Sequence, residues 1–146
     1  MRNYVIKHPE LRKFVKNNEG LTNEKDGKYI ILINPANSTL ERNRFTIAHE
    51  IGHIYLQHVS TNNKLIEKEA NMFASRILMP MILIKELNIT SAEGLAQVCQ
   101  VSIEAATWRM KRYNEIKGRM KFYTNQLEIK VREQLKEYIQ RSKQNR

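Results

Sequence analysis

The sequence predicts an α+β fold: a mostly helical domain with a small β-sheet, followed by short helices and a C-terminal amphipathic helix. Residues 29–33 form an apolar, β-branched run that follows the turn signal Asp26-Gly27, which predicts a strand. From residue 39 onward, apolar residues recur at helical spacing through most of the chain. A length of 146 residues is enough for one domain with a modest core and a helical appendage.

The first half of the chain predicts one strand between two helices. Leu11, Phe14 and Val15 could share one face of a short helix, and the strand at 29–33 stops at Asn34-Pro35. A helix follows over 39–57, because Ser38 and Glu41 have the spacing of a capping box with Ser38 as the N-cap. Its apolar residues predict a face that packs into the core: Phe45, Ala48, Gly52, Tyr55 and Leu56.

The rest of the chain predicts helices only. A polar loop precedes a helix over 64–79, which ends at Pro80 and carries the apolar stripe Ile66, Ala70, Phe73 and Ile77. Short helices are expected at 82–87, 92–99 and 102–113, the last of them capped by Ser102. A final amphipathic helix is indicated by Leu127, Val131, Leu135 and Tyr138.

Composition restricts the class of protein. The single cysteine, Cys99, excludes a disulfide framework and is expected in the core. No apolar stretch is long enough to span a bilayer and the N-terminus does not resemble a signal peptide, so we expect a soluble, cytoplasmic protein. Of the net charge of +10, +6 comes from residues 117–146, which hold nine Lys/Arg against three Glu. Such a basic segment can attract nucleic acid or an acidic protein surface, or remain simply solvated.

The most informative motif is His49-Glu50-Ile51-Gly52-His53, an H-E-x-x-H sequence within a predicted helix. At positions i and i+4, His49 and His53 leave the same face and can bind one Zn²⁺. Glu50 lies beside that metal, where it can take a proton from a bound water. The pattern predicts a zinc site with Glu50 as its general base.

A catalytic zinc site needs a third protein ligand, and residues 67–71 contain the candidates. If the two helices are antiparallel, His53 and Glu67 lie at similar heights, one turn on either side of the bend. Glu69 is rotated about 200° from Glu67, toward Leu65, Met72 and Arg76, which predicts an ordinary surface residue. We therefore expect Glu67 to bind the metal and Asn71, on the same face, to orient a histidine ring.

The sequence from 45 to 80 resembles the ImmA/IrrE metallopeptidases. The resemblance lies in Phe-Thr-Ile-Ala-His-Glu-Ile-Gly-His at 45–53 and Glu-Lys-Glu-Ala-Asn-Met-Phe-Ala-Ser-Arg-Ile-Leu-Met-Pro at 67–80, and residues 101–110 are similar to the helical segment that follows. It implies a zincin-like fold with zinc ligands His49, His53 and Glu67 and general base Glu50. It also implies an intracellular protease that cleaves a partner helix-turn-helix repressor. Residues 1–80 would be a minimal catalytic unit, 81–116 a helix-turn-helix-like segment and 117–146 a basic helix.

Several interpretations stay open at this point. The strand at 29–33 could be a sheet edge that holds substrate by β-augmentation, or a central strand buried on both faces. His8 and His58 are interpreted as ordinary histidines. The alternative to a peptidase is a DNA- or repressor-binding module with a structural metal site, based on the two helices around Val101-Ser102 and the basic segment. We expect the basic segment to help dock a repressor, with any nucleic-acid contact weak and incidental.

Overall fold

The computed structural model describes residues 20–34, 39–58 and 63–144. The chain forms two compact units, Met1–Ala74 and Ser75–Arg146. The predicted helix around Leu11 and the residue His8 lie outside the described residues. The α+β class is confirmed, because the described residues form a two-stranded sheet and are otherwise mostly helical.

The sheet is a hairpin of β1 (Gly20–Lys25) and β2 (Lys28–Ile33). The strands are antiparallel, with Thr22 opposite Ile31. Asp26 and Gly27 both have positive φ, as the two central residues of a type I′ hairpin turn require. Strand β1 was not predicted, because Leu21 is its only large apolar residue and its conformation depends on pairing with β2. Within the described residues β2 pairs with β1 alone, which favours the edge interpretation.

The motif helix α1 spans Leu40–Tyr55, close to the predicted 39–57. Its N-cap is Thr39, whose side chain accepts a hydrogen bond from the Arg42 backbone N–H, so the predicted cap at Ser38 is wrong by one residue. The predicted core face is also only partly correct. Ala48 and Gly52 are buried, whereas Tyr55 and Leu56, at the C-terminal end of the helix, are exposed.

Helix α2 spans Lys64–Leu78, as predicted to within one residue. Ala70 and Ala74 are fully buried, but Ile77, predicted on the same apolar stripe, is 53% exposed. The two helices approach closely at Gly52: a Cβ there would lie 3.1 Å from the Phe73 ring and 3.3 Å from the Ala70 Cα. Gly52 of the motif therefore allows α2 to lie against α1.

The second unit is helical. Helix α3 (Met81–Glu86), helix α4 (Ala92–Cys99) and helix α5 (Ile103–Ile116) match the three short helices predicted from the sequence, and Ser102 caps α5 as expected. Cys99 is buried, also as expected. Two clusters of buried residues form the core of this unit. The larger includes Met79, Ile84, Leu95, Val101 and Met110, and the smaller joins Met81, Ile82 and Phe122.

The C-terminal segment forms two helices, α6 (Gln126–Gln134) and α7 (Lys136–Gln144), where one was predicted. The expected stripe is wrong at its ends, because Leu127 is 72% exposed and Tyr138 is 43% exposed. Ile139 is the residue that enters the larger core cluster, and Leu135 packs partly against it. The apolar partner of these helices is therefore their own unit. No described helix is long and apolar enough to cross a membrane.

Candidate metal centre

Helices α1 and α2 bring His49, His53 and Glu67 together. The two Nε2 atoms are 3.0 Å apart. Glu67 Oε2 lies 3.3 Å from His49 Nε2, and Glu67 Oε1 lies 3.5 Å from His53 Nε2. Among the described residues, these three are the cluster of histidine, cysteine and acidic side chains that could hold a metal ion. They are the three residues that the sequence singled out as ligands.

The spacing of these atoms fits a tetrahedral ion. Ligands about 2.0–2.1 Å from a tetrahedral metal are separated from one another by roughly 3.3 Å. The two Nε2 atoms are separated by 3.0 Å, and each has a different Glu67 oxygen at 3.3 or 3.5 Å, all close to that value. With one ligand atom taken from each residue, the three atoms lie within 4.8 Å of one another. Two imidazoles and one carboxylate leave the fourth position of a tetrahedral ion for water or substrate, the arrangement of a catalytic rather than a closed structural site.

Each histidine has a partner at its other ring nitrogen. Asn71 Oδ1 lies 3.0 Å from His49 Nδ1, the position expected for a side chain that orients a histidine ring. His58 Nδ1 lies 3.0 Å from His53 Nδ1. An Nδ1–H that donates to such a partner leaves Nε2 unprotonated and able to bind a metal. Burial, reinforced by the neighbouring His49 ring, lowers the pKa of His53, which favours the neutral imidazole that metal binding requires.

Glu50 contacts the hairpin. The Thr22 hydroxyl donates a hydrogen bond to Glu50 Oε2 at 2.5 Å, which fixes the carboxylate from strand β1. A Cβ at Gly20 would lie 2.5 Å from the Thr46 side chain and 3.1 Å from Glu50 Oε1. The glycine therefore leaves room for the carboxylate where β1 crosses α1.

Three contacts of the site were missed by the sequence prediction: those of Thr22, His58 and Glu69. Glu69 was expected to be a plain surface charge, but its Oε2 lies 3.2 Å from His58 Nε2, and the His58 side chain is only 8% exposed. His58 was interpreted as an ordinary histidine, yet it contacts a predicted metal ligand. The signal for His58 was its position at a helix end, five residues after His53. Thr22 gave no comparable signal, because β1 itself was not predicted.

Comparison with known proteins gives one family. The family model described as Peptidase_M78, IrrE N-terminal-like domain, matches residues 7–111, which is more than half of the chain. The matched range contains both helices of the metal centre and the hairpin. Neither the curated proteins nor the solved structures give a significant match.

Proposed function

This chain belongs to the IrrE N-terminal-like peptidase family, and from that premise we propose that it is a zinc-dependent endopeptidase. The family itself supports a function of the metallopeptidase type. The proposal adds three specific points: the ion is zinc, the three ligands are His49, His53 and Glu67, and Glu50 is the general base.

The observation that carries the proposal is the position of Glu50 next to a fitting donor set. The adjacent residue His49 and the next turn's His53 converge with Glu67, while Thr22 holds one oxygen of Glu50. A purely structural metal site has no use for a fixed carboxylate between its ligands. This arrangement therefore favours a hydrolase over the alternative of a DNA- or repressor-binding module.

In the expected reaction the ion would activate the water and the peptide carbonyl, and side chains of the protein would transfer the proton. A zinc ion held by two imidazoles and a carboxylate supplies a Lewis acid for the peptide carbonyl and lowers the pKa of water. Glu50 accepts a proton from the attacking water and returns it to the nitrogen of the leaving amine. Because Thr22 donates to Oε2, Oε1 is the oxygen left for this transfer. Asn71 keeps the His49 ring in the tautomer that presents Nε2.

We propose a regulatory protein, a helix-turn-helix repressor, as the substrate. This follows from the family resemblance of the motifs at 45–53 and 67–80. The basic C-terminal segment supports docking of such a partner, because Lys130 and Lys136 are exposed on α6 and α7. Arg132 and Lys143 instead pair with Glu86 in their own unit, and so contribute less free charge than the sequence alone indicates.

The test is cleavage of the repressor encoded beside the gene by the purified, zinc-loaded protein. Glu50→Gln should lower the cleavage rate by about 10²- to 10⁴-fold while zinc content stays near one per chain, because the amide cannot accept the proton. Glu24→Gln, a change of an exposed carboxylate on β1, is the matched control and should cleave normally. Docking through basic side chains predicts a KM that rises with salt.

Two results would contradict the proposal. Loss of zinc from Glu50→Gln would show that Glu50 is a ligand rather than a base. Full zinc binding without cleavage of the repressor or of any unfolded polypeptide would favour the structural site and the binding module.

A further inference from the structure

A relay of three hydrogen-bonding side chains, His53, His58 and Glu69, leads away from the metal centre. His58 Nδ1 lies 3.0 Å from His53 Nδ1, and Glu69 Oε2 lies 3.2 Å from His58 Nε2. His58 is buried between its two partners, whereas Glu69 is 46% exposed. The relay therefore runs from the predicted ligand His53, through the buried imidazole of His58, to the solvent-accessible carboxylate of Glu69.

The end of α1 explains how His58 comes to face His53. Gln57 has a φ of +55°, and its N–H donates to the Ile54 carbonyl at 3.1 Å. The His58 N–H donates to the His53 carbonyl at 3.0 Å. Together these two bonds make a Schellman motif, in which the residue after the left-handed position lies against the residue five before it. The backbone thus places the two rings side by side, with their centroids 5.0 Å apart.

The contacts allow one consistent placement of protons. His53 Nε2 faces His49 and Glu67, so a metal ligand role requires the proton of His53 to be on Nδ1. That N–H can donate to His58 Nδ1 only if His58 carries its own proton on Nε2. The His58 Nε2–H then donates to the Glu69 carboxylate. Both ring N–H groups of the relay then have an acceptor, and the tautomer of each imidazole determines that of the other.

We propose that His58 and Glu69 are positioning residues that hold His53 in the orientation and tautomer in which Nε2 binds the metal. The inference rests on the proposed function only in requiring that His53 is a metal ligand. The two predicted ligands then differ in how their rings are oriented. The His49 ring is held by one amide, that of Asn71, and the His53 ring by the relay, which ends in the carboxylate of Glu69. Ligand-orienting partners of this kind affect metal affinity strongly.

The experiment measures the zinc dissociation constant of the full chain by competition with a chromophoric chelator. His58→Ala should raise the zinc Kd by about 10- to 100-fold. His58→Asn should recover part of that loss, because its Oδ1 can replace Nδ1 as the acceptor facing His53. Glu69→Gln should weaken binding less than His58→Ala does, and Glu24→Gln, the matched control, should leave it unchanged.

Two further measurements separate positioning from a general structural role. In the double variant His58→Ala/Glu69→Gln, zinc should bind no more weakly than in His58→Ala, because Glu69 acts through His58. The visible absorption spectrum of the Co²⁺-loaded protein should change in His58→Ala but not in the control. The melting temperature of each metal-free variant should stay close to that of the metal-free parent.

The outcomes distinguish this inference from the proposed function. Normal zinc affinity in His58→Ala, or additive effects in the double variant, would overturn the positioning role while leaving the peptidase proposal intact. A parent chain that binds zinc with this His58 dependence but cleaves nothing would overturn the peptidase and support the relay. A parent chain that binds no zinc would overturn both.

Discussion

The two units of this chain are stabilised by different kinds of residues. Among the described residues of the first unit, the buried apolar side chains are Leu32 and three alanines, Ala48, Ala70 and Ala74. In the second unit, Met79, Ile82, Ile84 and Leu95 are the largest fully buried side chains. The first unit also buries Thr46 and His53 and contains the hydrogen-bonded side chains of the candidate metal centre, whereas the buried polar side chain among the described residues of the second unit is Arg109.

This difference teaches how the site is built. Small residues let α1 and α2 approach closely, which brings His49, His53 and Glu67 near enough to one another to hold one ion. The same small residues bury little apolar surface, and each buried apolar side chain contributes only in proportion to its area. We therefore expect the bound ion to contribute a large share of the stability of the described part of the first unit, and none to the core of the second.

The largest expected effect is that of metal removal. At a free zinc concentration of 1,000 times the Kd, binding stabilises the folded state by about 4 kcal/mol. Chelation should therefore raise hydrogen exchange in peptides of α1 and α2, while peptides of α4 and α5 keep their protection. Hydrogen–deuterium exchange with mass spectrometry measures both regions in one sample. An equal loss of protection in the two units would contradict the expectation that the ion stabilises the first unit alone.

The next effect is a cavity in the second unit. Leu95 is fully buried within the larger core cluster, and Leu95→Ala should destabilise this unit by about 3 kcal/mol. Chemical denaturation of the zinc-loaded chain measures the loss, and Leu127→Ala, at a side chain that is 72% exposed, is the control. The zinc Kd should stay within about twofold of the parent's, since His49, His53 and Glu67 belong to the other unit. A large change in zinc affinity would show that the two stabilities are coupled.

The sequence predicted the elements that local patterns determine. Helices with clear caps or stops, such as α2 before Pro80 and α5 after Ser102, were located to within one to three residues. The clustering of His49, His53 and Glu67 followed from helical geometry, because the two histidines are one turn apart and an antiparallel helix pair brings Glu67 level with His53. The helix positions depend on a few neighbouring residues, whereas the choice of Glu67 also needed the assumption that two successive helices pack antiparallel.

What was missed depends on contacts between distant segments. Strand β1 forms through pairing with β2, and only then does Thr22 reach Glu50, 28 residues further along the chain. His58 and Glu69 are eleven residues apart, and their contact needs both the turn after α1 and the packing of α2. The break between α6 and α7 likewise has no Gly or Pro to mark it, so a single continuous stripe was the simpler interpretation.

The smallest expected effect concerns Glu86, the acidic residue that holds α6 and α7 in the second unit. Its two oxygens accept hydrogen bonds from Arg132 Nε at 2.9 Å and Lys143 Nζ at 3.0 Å. The bond from Lys143, with a further contribution from Arg132, lowers the pKa of Glu86 below its ordinary value of 4.5. The stabilisation is therefore complete above about pH 4.5 and is lost as the pH falls through the lowered value.

Glu86→Gln should cost about 1 kcal/mol at pH 7, because both cationic partners are half exposed and solvent screens them. Denaturation at pH 7 and at pH values below 4.5 should show the difference from the parent shrinking as the parent's carboxylate gains its proton. Glu137→Gln removes a fully solvated pair with Arg141 and should cost almost nothing at either pH. A cost for Glu86→Gln as large as that for Leu95→Ala would mean that ion pairs, and not only apolar burial, stabilise the second unit. The contrast between the two units would then be wrong.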